Sequence, residues 1–303
     1  MTSLKLLVLY NCQLDSQFFN HLPPYLESLH LYHLKMLETS LNGIILPIHL
    51  RVLSVMGTGF NTLELPVISN GKILDQLQTV NIGSNTYGPV PKISKLQAFL
   101  SSLPSNVNNI SLHVNELPEF PNSGNNYLTK LPHGVKNLSL NVNKKNSNLD
   151  FSNLNPCLEH FRLSGLSSYS GQLPVTLEQL NIDLTPYALS FSDFWQKFLT
   201  NSPRIKKLHF IFKCAGTIDF RTLKFPENLF VLSIDVYVDT SSNMILNTFP
   251  GCLTFFGINA FGGYDGGPRF RIDVDESKGI TIESLQNKLC LLQPTSFEWF
   301  KLS

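Results

Sequence analysis

Along this chain apolar residues recur at a fixed set of offsets. Leu4, Leu7, Leu9, Cys12 and Leu14 spell L-x-x-L-x-L-x-x-C-x-L. The same spacing returns at Leu26, Leu29, Leu31 and Leu34; at Leu50, Leu53, Val55 and Thr58; and at Leu77, Val80, Ile82 and Asn85. It continues at Val107, Ile110, Leu112, Asn115 and Leu117, then at Val135, Leu138, Leu140 and Asn143. In the second half the position after the triplet drifts, but the triplet persists: Leu158, Phe161, Leu163; Leu177, Leu180, Ile182; Ile205, Leu208, Phe210; Leu229, Leu232, Ile234; Leu253, Phe256, Ile258; and Phe297, Phe300, Leu302. Two apolar residues separated by one polar residue are the mark of a short strand with one buried face. At a period of roughly 25 residues, no unit can bury that face alone, so the units must stack. The pattern therefore predicts a solenoid of about twelve units whose strands form one parallel sheet.

A second feature marks the approach to each strand. Leu22-Pro23, Leu103-Pro104, Leu131-Pro132, Leu173-Pro174, Phe225-Pro226 and Phe249-Pro250 all stand just ahead of a triplet. Proline has no N–H for a ladder and holds the preceding residue extended, which suits the end of a return segment. Three returns carry helical spacing: 92–103, 189–201 (with Ser192 and Asp193 as its cap) and 281–292. The glycine-rich stretch 260–279 lacks phosphate-loop spacing and is expected to be a loop or small hairpin containing Arg269, Arg271 and Asp273.

With its composite L-P-x-x-L-x-x-L-x-L unit the chain resembles the leucine-rich repeat superfamily over nearly its whole length. The flavour of the unit is similar to repeat domains of secreted bacterial effectors and to expanded budding-yeast leucine-rich repeat proteins, some related to F-box proteins. The irregular repeat lengths and the phenylalanine substitutions favour the second. The resemblance implies an α/β solenoid, a curved right-handed superhelix occupying residues 1–303, with one parallel concave sheet and irregular or short-helical convex returns. It also implies a non-catalytic scaffold that binds another protein on the concave face. The competing expectation is the substrate-receptor part of an F-box type ubiquitin ligase, its F-box absent here.

Composition narrows the chemistry. With 43% hydrophobic and 15% charged residues in 303, the chain can bury a large core, and a net charge of +1 supplies no general attraction for nucleic acid. Five scattered cysteines contain no C-x-x-C pair, which points to a reducing compartment, cytoplasmic or nuclear. The apolar run at 6–10 is too short for a signal peptide, and no stretch is long enough to span a membrane. Neither a zinc-binding His/Cys pattern nor a G-x-S-x-G elbow occurs, so no catalytic residue, metal, cofactor or small-molecule substrate is expected. Cys12 is expected to be buried in its turn and bonded to backbone. The sequons at Asn109 and Asn137 fall within predicted strands and are read as chance matches.

Period-two alternation also says which residues the sheet presents. Those between the buried anchors include Val8 and Tyr10, His30 and Tyr32, and Met56, an unusually apolar group; then His113 in a neutral middle; then His160, Arg162, Asp183, Lys207 and His209, where both signs of charge alternate. These are the candidate partner-binding residues. The apolar end has a second reading of equal weight: no polar cap precedes Leu4, and sequence outside this chain covers the patch.

Overall fold

A computed structural model of the chain describes residues 3–36, 45–57, 68–69, 72–83, 99–114, 127–142, 148–165, 168–184, 191–199, 202, 204–214, 217–220, 223–238, 242–246, 252–261, 270–274, 289–291 and 297–301. The chain packs as two compact units, Met1–Asn148 with Asn153–Leu158, and Leu149–Ser152 with Glu159–Ser303. Both are parallel-sheet solenoids with few helices, as the sequence predicts.

In the first unit the strands are β1 (Leu6–Tyr10), β2 (Gln13–Leu14), β3 (Ser28–Tyr32), β4 (Lys35–Met36), β5 (Val52–Met56), β6 (Ile68–Ser69), β7 (Lys72–Ile73), β8 (Thr79–Gly83), β9 (Asn109–Val114) and β10 (Asn137–Val142). The main sheet runs β1-β3-β5-β8-β9-β10, all parallel. Its register stacks like positions of the repeat into columns: Leu7, Leu29, Leu53, Val80, Ile110 and Leu138 form one, and Leu9, Leu31, Val55, Ile82, Leu112 and Leu140 the next. From the second strand onward both columns are buried. Full burial of one such side chain is worth about 1.5–3 kcal/mol, so the columns hold the stack together.

Three local devices pin that register. The Leu-Pro pair makes a turn: the carbonyl of Pro23 accepts the N–H of Leu26 at 3.1 Å, and Pro104–Val107 and Pro132–Val135 repeat it at 3.2 and 3.1 Å. Leu46-Pro47, absent from the sequence reading, does the same for Leu50 at 3.2 Å. Each strand is then entered through one carbonyl that accepts two N–H groups of the next coil. Lys5 O takes Glu27 and Ser28, and Glu27 O takes Arg51 and Val52, with Arg51, Gln78 and Asn108 following suit. At the strand exits Asn11, His33 and Gly57 adopt φ of 54°, 53° and 63°. Each N–H there reaches the last carbonyl of the neighbouring strand at 2.9 Å.

The second unit contains β11 (Asn148–Asp150, of which Leu149 and Asp150 belong to it), β12 (His160–Ser164), β13 (Ser168–Ser170), β14 (Gln179–Asp183), β15 (Lys207–Cys214), β16 (Thr217–Asp219), β17 (Val231–Val238), β18 (Ser242–Leu246), β19 (Phe255–Phe261), β20 (Phe270–Val274), β21 (Leu289–Leu291) and β22 (Phe297–Lys301). Its main sheet is β12-β14-β15-β17-β19-β21, parallel throughout. Aromatic side chains fill its interior. Trp195 is fully buried against Phe210 and Phe225, its indole N–H donating to the Lys224 carbonyl at 2.9 Å, and Phe151 packs on Tyr169 and Phe198.

The returns depart from expectation in this unit. A second parallel sheet, β16-β18-β20-β22, replaces the irregular returns after β15. β20 carries Arg271 and Asp273 as a member of that sheet, paired parallel on both sides, and is not an arm of a hairpin. The last triplet is likewise displaced: Phe297 and Phe300 lie in β22 of the second sheet, and the main-sheet slot belongs to β21. The helix expected over 281–292 therefore gives way to strand at Leu289–Leu291, and residues 281–288 and 292 lie outside the described residues. The return at 191–199 is helical, widening after its first turn, with Ser192 and Asp193 inside the helix and not at its cap. Of the helix expected at 92–103, residues 99–103 are described; 99–102 are helical and Leu103 is not.

Candidate protein-interaction face

Because Leu29 and Leu31 point into the core, the residues beside them point out, and the exposed side of the first unit's sheet is three rows deep. The first row is Leu6, Ser28, Val52, Thr79, Asn109 and Asn137; the second is Val8, His30, Ser54, Asn81, Ser111 and Ser139; the third is Tyr10, Tyr32, Met56, Gly83, His113 and Asn141. None of these positions is a lysine, arginine, aspartate or glutamate. Leu6, Val8 and Tyr10 are 55%, 51% and 65% exposed, an apolar surface of the sort that soluble chains usually cover.

Candidate residues meet at this end. Tyr10, Tyr32 and Met56 are register neighbours. Tyr10 also meets the edge of the His33 ring at 5.2 Å. The His30 ring stacks on Tyr32 with Nδ1 3.2 Å from its hydroxyl, which also accepts the Ser54 hydroxyl at 3.4 Å. Ser54 is thereby buried although it lies on the outer side. Partial burial lowers the His30 pKa below the ordinary histidine value. Met56 folds across Gly83, where a Cβ would fall 2.7 Å from its sulfur and 3.0 Å from the His113 Cβ. The flat glycine thus lets Met56 and His113 close the row.

Farther along, amides join the first row: Asn109 donates to the Thr79 hydroxyl at 3.2 Å, and Asn137 donates to the Asn109 carbonyl oxygen. Both sequon asparagines are thus held mid-sheet. Cys12 is half-buried, its thiol donating to the Tyr10 carbonyl at 3.2 Å, so it is bonded to backbone as expected but less enclosed.

The remaining candidates form a separate set on the second unit. His160, Arg162 and Lys207 are exposed, and Asp183 and His209 are half-buried. Arg162, Asn181 and His209 are successive register partners, and His209 Nε2 lies 3.1 Å from Asp235 Oδ2. Asp235 lies on β17, opposite Ile211 in the register.

The reading also missed a charged rim one residue ahead of the strands. Lys5 bonds Glu27 at 2.8 Å, and Lys206 bonds Glu178 at 2.9 Å. The hydrogen bond from Lys5 lowers the Glu27 pKa, and that from Lys206 lowers the Glu178 pKa. Around Lys5, Glu27 and Arg51 the rim encloses an open pocket of about 310 Å³ walled by the stacked rings of Tyr25 and His49. The alternation of sign at one fixed repeat position was the available signal. Among the described residues no cluster of metal-ligating side chains occurs, and no helix is long and apolar enough to cross a membrane.

No known family profile matches the sequence, and no curated protein does. Among solved structures the chain is similar to the leucine-rich repeat-containing protein LegL7 from Legionella pneumophila, with 11% identity and a TM-score of 0.37 over 75% of this chain and 90% of that one.

Proposed function

We propose that the chain is a non-catalytic recognition scaffold that holds a protein partner on the outer side of its main sheet, the face read from the sequence as concave. The reading is carried by the first unit's exposed face, which is uncharged, apolar at one end and amide-rich beyond. Apolar anchors surrounded by neutral hydrogen-bonding groups suit a protein surface and give neither a phosphate backbone nor a reacting group anything to work with. Tyr10, Tyr32 and Met56 supply the anchor, and His30 holds the Tyr32 ring in place. On the second unit Arg162, Asp183 and Lys207, with the imidazole of His209, offer a partner polar contacts of both signs.

The test uses a partner captured with the intact chain and then purified. Tyr32→Ala should weaken its binding by about 1 kcal/mol or more, a loss typical of a buried interfacial aromatic, whereas Asn141→Ala should change it by less than half that. Equal and negligible effects, with both variants melting like the parent, would remove this face from the function.

A further inference from the structure

We propose that β1 is a dimerisation edge, and that two copies of the chain join their main sheets by antiparallel pairing of Leu6–Tyr10 with Leu6–Tyr10. The proposal does not rest on the partner-binding reading, because it is argued from the backbone edge of β1, although the side chains of Val8 and Tyr10 also belong to the outer face.

The backbone shows which groups are on offer. Lys5 directs its carbonyl to Glu27 and Ser28, and Asn11 directs its N–H to Tyr32. In an extended strand alternate residues face the same side, so Leu7 and Leu9 also turn their N–H and C=O toward β3. Leu6, Val8 and Tyr10 therefore turn theirs outward, to an edge that no strand occupies among the described residues. The Tyr10 carbonyl accepts the Cys12 thiol at 3.2 Å, and its second lone pair stays open.

The core is open at the same place. Leu7 and Leu9 are half-buried, whereas Leu29 and Leu31 beside them in the same columns are wholly inaccessible. Edge strands are ordinarily guarded by a charge, a proline or a bulge, and Leu6–Tyr10 contains none.

A second copy fits this edge by symmetry. With a two-fold axis at Val8, Val8 pairs with Val8, Leu6 with Tyr10, and Leu7 with Leu9. Inner leucines then meet inner leucines across the axis, outer residues meet outer ones, and the register leaves no side chain on the wrong face. The outward backbone groups are self-complementary, giving about six ladder bonds in the alternating pattern of an antiparallel pair. Charge is compatible as well. The five paired residues are uncharged, and the nearest charge, Lys5, falls outside the ladder and is already matched by Glu27 at 2.8 Å. Such a contact is isologous and closes at two copies.

The experiment combines sedimentation with cross-linking of the full chain. The parent should sediment at the mass of two chains at tens of micromolar, and Val8→Lys, which sets two cations against each other at the axis, should sediment as one. Val8→Cys should form an interchain disulfide under mild oxidation, since opposed residues of an antiparallel pair lie within disulfide reach. The parent, with its native cysteines, and Val175→Cys, at a site 70% exposed, should not. If Val8→Lys fails to fold, the Val8→Cys result decides alone. A parent that sediments as one chain, or a Val8→Cys variant that cross-links no faster than Val175→Cys, overturns the proposal, as does a finding that a different protein occupies the edge.

Discussion

Truncating one column of leucines at different heights tests the stacking logic most directly. Leu112 is fully buried, with Ile82 and Leu140 as its register neighbours above and below, so Leu112→Ala deletes three carbons in a place where both flanks are held by the ladder. At about 0.8 kcal/mol for each buried carbon the transfer loss is roughly 2.4 kcal/mol. The cavity that a rigid ladder cannot close brings the expected total to about 4 kcal/mol, within the range seen for buried leucines. Leu9 stands in the same column but is half-buried with one flank open, so Leu9→Ala should cost about 1–2 kcal/mol. Ser111, next in sequence to Leu112 and half-buried on the outer side, should tolerate alanine within about 0.5 kcal/mol. Urea melts followed by far-ultraviolet circular dichroism measure all three. A Leu9 cost equal to that of Leu112 in the single chain would refute the open-end argument, and a Ser111 cost equal to it would mean that the two faces of the strand are reversed.

Two further outcomes follow from particular atoms. Gly57→Ala should destabilise the chain by about 1–2 kcal/mol, because an L-residue at φ 63° is strained and the new Cβ would lie 2.6 Å from the His33 ring; adding His33→Ala should recover only the steric part, measured by the same melts. Burial lowers the His30 pKa, so just below the ordinary histidine value of about 6.5 the unfolded chain binds a proton that the folded chain does not. The His30 contribution is therefore complete above about pH 6.5 and is lost as pH falls toward the folded value. His30→Gln should flatten that part of a stability-against-pH curve, and an unchanged slope between pH 7 and 5 would remove His30 as its cause.

The column structure was legible because it is the part of the sequence under the strictest constraint. A residue at the position of Leu29 or Leu31 meets its equivalents above and below, so a polar substitution there would be repeated as a buried cost through two neighbours. The outer face was legible by subtraction, and Val8, Tyr10, His30, Tyr32, Met56 and His113 all lie on it. Its internal bonds were not. Nothing in the spacing says that Tyr32 will bridge His30 and Ser54, or that Met56 will lie down over Gly83, because those choices depend on which neighbour is small. The Leu-Pro signal was read as an extended approach, whereas its structural content is the turn closed by the proline carbonyl. That carbonyl is shared by every residue type, which is why Leu74 and Asn155 can hold the same turn ahead of Leu77 and Leu158 without a proline.

The C-terminal coils show where spacing stops deciding. Leu285, Leu289 and Leu292 satisfy a helical face, while Leu289 and Leu291 satisfy a strand, and a short apolar run cannot choose between them. The ladder chooses: β19 offers an edge of backbone donors and acceptors, and Leu289–Leu291 pairs with Phe256–Ile258 of it, placing Leu289 beside Phe256 and Leu291 beside Ile258. The same reasoning accounts for the second sheet. Phe270, Ile272 and Val274 alternate strictly, a strand signal hidden by the glycines ahead of it, and once β16 and β18 have formed, β20 finds an edge waiting and β22 the next. Each added strand is thus specified by the one before it more than by its own residues. That dependence makes the two ends of a main sheet physically different. Among the described residues an inner strand is held on both sides, whereas β1 is held by β3 alone, with Leu6 exposed and Leu7 and Leu9 half-buried.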